Sequence, residues 1–157
     1  MDLSELDEFS RRYGDSLFSV HPEWRKFARQ QRDDRSGTVF LVVEVPPPAG
    51  ADGDLPLSIF TDNEEVTVVF DCFHTHYGWP DASFEDPLVL VHQILNEEIS
   101  VASVWTGDEW RGSELIQPGA LPEPEEWSPP ITRVRVRSWK GTDNRDLPGD
   151  AVHSFSR

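Results

Sequence analysis

Only one cysteine, Cys72, and one methionine occur in the 157 residues. A single thiol excludes an internal disulfide and any four-cysteine zinc site, and it fits a reducing compartment. No apolar run reaches the length of a membrane-spanning helix. The stretch Met1–Arg12 carries acids where a secretory leader would have a basic start and an apolar core. Glycine-rich phosphate loops, serine nucleophile elbows and zinc-finger spacings are missing as well. Positive charge is scarcest in the middle. Between Ser36 and Pro130, Arg111 is the only Lys or Arg, set against eighteen acids, a local balance of −17 in a chain whose total is −15. Such a field repels nucleic-acid phosphates and anionic membranes. It speeds encounter with a basic protein surface. Solubility alone is the plainer reading of the same charge.

Against these absences stand 37% hydrophobic residues and six tryptophans, enough for a folded core rather than a disordered chain. The expected organisation is a single soluble cytoplasmic domain over residues 1–157. A helical segment occupies 1–35, a sheet core 38–117 with a helix at about 85–97, a proline-rich wrap 118–130, and a closing strand and tail 131–157.

Leu3, Leu6, Phe9 and Tyr13 recur at helical steps, which predicts a helix over Asp2–Tyr13 ended by Gly14. A second helix is expected over Pro22–Gln31, with Trp24, Phe27 and Ala28 on one side. Thr38–Val45 reads as a central strand, and Leu57–Thr61 with Glu65–Phe73 as a hairpin across Asp62-Asn63-Glu64. Ser83 and Asp86 have capping-box spacing ahead of a helix over Glu85–Glu97. Ile99–Thr106 and Glu109–Gln117 form a second hairpin across Gly107-Asp108. Ile131–Trp139 alternates Arg133, Arg135 and Arg137 with Val134 and Val136, the pattern of a half-exposed edge strand. Helices first, then strands with one helix inserted, give an α+β fold with a mainly antiparallel sheet.

The densest stretch is Val66–Pro80, VTVVFDCFHTHYGWP. Read as one extended strand, it puts Val66, Val68, Phe70, Cys72, His74 and His76 on one face, and Asp71 and Tyr77 on the other. His74 and His76 are spaced as strand metal ligands, with Asp71, Asp81 or His92 to complete a site; a structural hydrogen-bonded pair is the alternative. Cys72 continues an apolar line, so burial competes with nucleophilic use. The adjacent acids Glu97-Glu98 and Asp108-Glu109 read as solvated. Aromatic residues beside acids form the other unusual pattern: Tyr77 and Trp79, Trp105 and Trp110 around Gly107-Asp108-Glu109, and Trp127 after Glu125-Glu126. Trp105 aligns with Ile99 and Val101 and is assigned to the core. Trp79 and Trp110 lie near turns, where tryptophan serves partner recognition.

The run VTVVFDCFHTHYGW, with the following helix, hairpin and RVRSWKGTDNRD, resembles small immunity proteins encoded beside bacterial polymorphic toxins. The resemblance implies an acidic, cytoplasmic, non-catalytic protein that binds a cognate toxin domain and covers its active site. The acidic, aromatic-rich surface independently suits a basic cleft, and no cofactor or metal is expected. The candidate contact surface is Asp71, His74, His76, Tyr77, Trp79, Asp108, Glu109 and Trp110. A small metal-dependent enzyme using His74 and His76, or a structural adaptor, are the competing readings.

Overall fold

The computed structural model describes residues 3–51, 55–123 and 130–153. The fold is α+β, and its strands pair antiparallel in two sheets rather than one. The described chain groups into two compact units. The first comprises Met1–Pro46, Pro56–Phe70 and His74–Val91; the second comprises Pro47–Leu55, Asp71–Phe73 and His92–Arg157. Among the described residues no helix is long and apolar enough to cross a membrane.

In the first unit, helix α1 (Glu8–Val20) buries Ser10, Tyr13, Gly14, Leu17 and Phe18, the three- and four-residue steps of one helical face. It starts a turn and a half later than its leucines suggest. Asp7 is the N-cap, accepting the Ser10 N–H at 2.8 Å. Gly14 does not stop the helix. A Cβ there would lie 3.3 Å from Leu41 Cδ2, so the residue is small because helix and sheet approach closely. A 3-10 helix (Pro22–Phe27) follows, and strand β1 (Ala28–Arg32) replaces the expected end of a second α-helix. Pairing with β2 (Val39–Val45) outweighs helix propensity in that segment. The turn between them is held by Asp33, whose Oδ1 accepts the N–H groups of Arg35 and Ser36.

Strands β3 (Leu57–Asp62) and β4 (Glu65–Phe70) form the expected hairpin, with Asn63 and Glu64 both at positive φ. The extended run expected through Tyr77 breaks after Phe70. Asp71, at φ 51°, and Cys72 make a two-residue turn into β5 (Phe73–Gly78). The order β1-β2-β3-β4-β5 leaves β1 and β5 at the edges of this sheet. One face packs its core: Leu41, Val43, Leu57, Ile59, Val66, Val68 and Phe70 are all nearly inaccessible. A buried polar chain links α1 to that face. Ser10 Oγ donates to Asp7 Oδ2 at 2.7 Å, Thr61 Oγ1 lies 2.6 Å from Ser10 Oγ, and Thr61 Oγ1 accepts the Leu41 N–H at 3.0 Å.

Helix α2 (Glu85–Leu95) buries Leu88, Leu90, Val91 and Ile94 and exposes Val89. Half of the expected capping box is present: Asp86 Oδ2 accepts the Ser83 N–H at 2.7 Å. The helix ends in a Schellman arrangement, Glu97 N–H to Ile94 and Glu98 N–H to Gln93, with Glu97 itself at φ 55°.

The second unit is built on a sheet of order β7-β6-β8-β9. The hairpin β6 (Ser100–Thr106) and β7 (Glu109–Ile116) turns at Gly107-Asp108, as its sequence indicates. Strand β8 (Arg133–Arg137) is internal, not an edge, because β9 (Arg145–Pro148) pairs on its far side. No alternation marks the four residues of β9, which is why the tail reads as turns. Short helix α3 (Asp150–His153) follows. Ala102, Val104, Ile116, Ile131, Val134, Val136 and Val152 make its core cluster. Gly149 passes so near the backbone of Ile131 and Thr132 that a Cβ there would overlap the Ile131 carbonyl. Of the expected wrap over 118–130, residues 124–129, with Glu125, Glu126 and Trp127, lie outside the described residues.

Candidate functional site

The register of the first sheet defines a second face, opposite the core. Arg29, Val42, Phe60 and Thr67 are successive cross-strand neighbours, and Gln31 with Phe40 and Asp62 with Glu65 are further pairs. The Trp79 N–H donates to the Glu64 carbonyl at 3.0 Å, which sets β5 against β4 so that His76 faces Thr67 and His74 faces Val69. His74 and His76 thus occur on the same face, with ring centroids 5.2 Å apart. Their supposed line with Phe70 and Cys72 does not exist, because the Asp71-Cys72 turn reverses the chain between them.

His76 is positioned by two residues that the sequence did not single out. Its Nδ1 lies 2.7 Å from Glu65 Oε1 and 2.9 Å from Thr67 Oγ1. A nitrogen that close to a carboxylate oxygen carries the proton, which fixes the tautomer and leaves Thr67 as the accessory partner. The cross-strand pairing of 67 with 76 carries this signal, and it becomes legible only once the turn at Asp71 is known. Among the described residues no group of three or more His, Cys, Asp or Glu side chains could hold a metal ion. Asp71, named as a third ligand, is engaged elsewhere.

Tyr77 points to the other side of β5 and is half-buried. Burial, and then the Asp86 carboxylate, push its phenol up. Trp79 lies just beyond the strand and is 45% exposed, with one side of its ring against Phe84 at 5.6 Å. Phe84 also meets Phe9 and Tyr13 edge-on and carries the Arg12 guanidinium 5.5 Å above its ring. Trp79 therefore presents one anchored, half-open face.

The remaining candidates belong to the second unit. Asp71 turns its side chain inward into a part-buried ion pair. Its side chain is only 3% exposed, and Arg135 Nη2 reaches its Oδ1 at 2.9 Å. The same turn is fixed by the Ser113 hydroxyl donating to the Cys72 carbonyl at 2.8 Å. Cys72 is partly buried. Burial, and then the Asp71 carboxylate, push its thiol up, away from the thiolate a nucleophile needs.

Asp108, Glu109 and Trp110 are exposed together at the tip of the β6–β7 hairpin, Trp110 at 45%. Glu109 is paired with Arg111 at 3.0 Å. Trp105 is not a core residue. It is half-buried, donates its indole N–H to Ser103 Oγ at 2.9 Å, and lies under the Arg133 guanidinium at 5.0 Å. The eight candidates therefore fall into an exposed set on β5 and just past it (His74, His76, Trp79), an exposed hairpin tip (Asp108, Glu109, Trp110), and two inward residues (Asp71, Tyr77). Such an arrangement offers surface for recognition and assembles no nucleophile–base pair from these residues. Compared with known proteins, the chain matches no family model, no curated protein and no solved structure.

Proposed function

We propose that this chain is a non-catalytic immunity protein of the bacterial cytoplasm, which neutralises a cognate toxin domain by covering its basic active-site cleft. The observation that carries the reading is the pairing of exposed tryptophan with acid. Trp110 stands beside Asp108 and Glu109, Trp79 is two residues before Asp81 in the chain, and each tryptophan is 45% exposed. Partly exposed tryptophans are costly to leave in water and are the residues most enriched at binding hot spots. Carboxylates around them complement Lys and Arg, as a toxin acting on phosphate-bearing substrates would present. The net charge of −15 supplies long-range attraction to such a surface.

The test is a pull-down of the toxin domain encoded by the neighbouring gene. The complex forms at low salt and weakens as salt rises. Trp110→Ala lowers affinity by about thirtyfold, the cost of truncating a hot-spot tryptophan. Absence of a complex at either salt concentration overturns the proposal.

A further inference from the structure

The face of the first sheet opposite its core holds an open groove of about 370 Å³, a size that accepts a small organic group. Its floor is apolar: Val42 and Phe60 are cross-strand partners, with Phe40 and Val69 beside them. Three charged residues line it, Arg29, Glu44 and Asp62. Arg29 Nη2 lies 3.4 Å from Glu44, and its Nη1 donates to Gln31 at 2.8 Å, so two of the three charges compensate each other inside the groove. Asp62 is left over. Among the described residues no hydrogen bond or ion pair engages its carboxylate. It lies two residues along β3 from Phe60 and lines the same groove as Phe40.

Glu65, the cross-strand neighbour of Asp62, is taken up by His76, so Asp62 is the unpartnered carboxylate of the pair. Such a group in a groove lined by two aromatic rings over an apolar floor selects a cation with an apolar stem. The charged head pairs with the carboxylate, the methylenes lie on Val42 and Phe60, and the ring faces attract the positive charge. We infer that this groove receives an arginine or lysine side chain from an extended segment of a basic protein partner. The inference rests on the immunity reading in that the partner is the toxin, and it adds the sheet face as a docking surface beside the exposed tryptophans. Charge complementarity chooses the occupant: an anionic chain of −15 with one uncompensated acid in an apolar groove recruits cationic protein in preference to acidic or neutral segments. The rim adds polar partners for a peptide backbone, Ser58 and Gln31 among them.

The experiment uses the full chain and three probes: the peptide acetyl-Leu-Arg-Leu-Arg-Leu-amide, its counterpart with citrulline for arginine, and free arginine amide. Binding is followed by amide chemical shifts. The arginine peptide shifts residues centred on Phe40, Val42, Phe60 and Asp62. Citrulline, which keeps the shape and removes the charge, weakens binding about tenfold, and so does Asp62→Asn, the loss expected for one charge-assisted contact. Asp62 is partly exposed at the end of β3, and an otherwise unchanged spectrum checks that the variant is folded.

The inference is overturned by shifts centred on Trp110 instead, by equal affinity for the citrulline peptide or for the Asp62→Asn variant, or by no shift at all. Arginine amide binding as tightly as the peptide overturns it too, in favour of a free small cation. Toxin captured equally well by wild type and Asp62→Asn sinks the docking surface while the immunity function stands. An arginine peptide seated at Asp62 in a protein that captures no toxin sinks the immunity function and keeps the cation site.

Discussion

At the scale of single residues, two buried hydroxyls have opposite standing. Thr61 is inaccessible and is engaged as both acceptor and donor: it accepts the Leu41 N–H and gives its proton to Ser10 Oγ, whose own proton goes to Asp7. The Tyr13 hydroxyl is equally buried yet has no hydrogen-bond partner among the described residues. Burial, and then the nearby Tyr77, raise its pKa far above the usual phenol value. Thr61→Val keeps the shape but strands an N–H and a serine oxygen, and is expected to cost about 1–3 kcal/mol. Tyr13→Phe removes a group that pays desolvation without return, and is expected to be neutral or stabilising by about 1 kcal/mol. Urea titrations of both variants check the pair, and equal losses would contradict the hydrogen-bond assignment. Neither role is legible in the sequence, where Tyr13 reads only as one more apolar step and Thr61 only as the end of a strand.

At the scale of elements, the readable parts are those whose local chemistry is unambiguous. The turns at Asn63-Glu64 and Gly107-Asp108 mark both hairpins, and the exposure of Trp79 and Trp110 follows from their places beside turns. The misread parts are those in which tertiary pairing decides. Ala28–Arg32 has helix-forming residues but lies along β2. The turn at Asp71-Cys72 has neither glycine nor proline, so the local composition does not separate β4 from β5, and the neighbours of the histidine face are not legible from it. Arg133, Arg135 and Arg137 look like a solvated stripe until β9 and the buried Asp71 supply partners.

The end of α2 shows the same dependence and can be tested. Glu97 occupies a left-handed position that favours glycine, and its carboxylate accepts the Lys140 N–H at 2.8 Å and the Thr142 hydroxyl at 2.6 Å. Burial alone would raise its pKa. Hydrogen bonds from Thr142, Ser138 and Lys140 outweigh that and hold it below the usual carboxylate range. A folded-state pKa below the unfolded value means stability present above the unfolded pKa and lost as pH falls through the folded one. Glu97→Gln should therefore flatten the acid limb of a stability–pH curve while costing about 1 kcal/mol at neutral pH, after solvent screening. An unchanged acid limb would show that the carboxylate is not the clamp.

At the scale of the whole molecule, charge dominates. A chain of 157 residues carrying −15 repels itself, and the repulsion is strongest in the compact state. Raising salt from low ionic strength to about 0.15 M shortens the screening length to about 8 Å and should raise Tm. A Tm that falls instead would mean that ion pairs such as Arg135–Asp71 and Arg137–Asp146 outweigh the repulsion. The same salt series separates folding from recognition, since added ions stabilise the chain while loosening its grip on a cationic partner.

The two units are interleaved along the polypeptide: Pro47–Leu55 and Asp71–Phe73 belong with His92–Arg157, although their flanking segments belong with the first unit. A single cut after Val91 therefore leaves every segment of the first body on one fragment, together with two short pieces of the second, while no single cut releases the second body whole. On the ribosome, two pieces of the second body emerge before the strands they join have been synthesised. The second body therefore completes itself only after translation has passed β8.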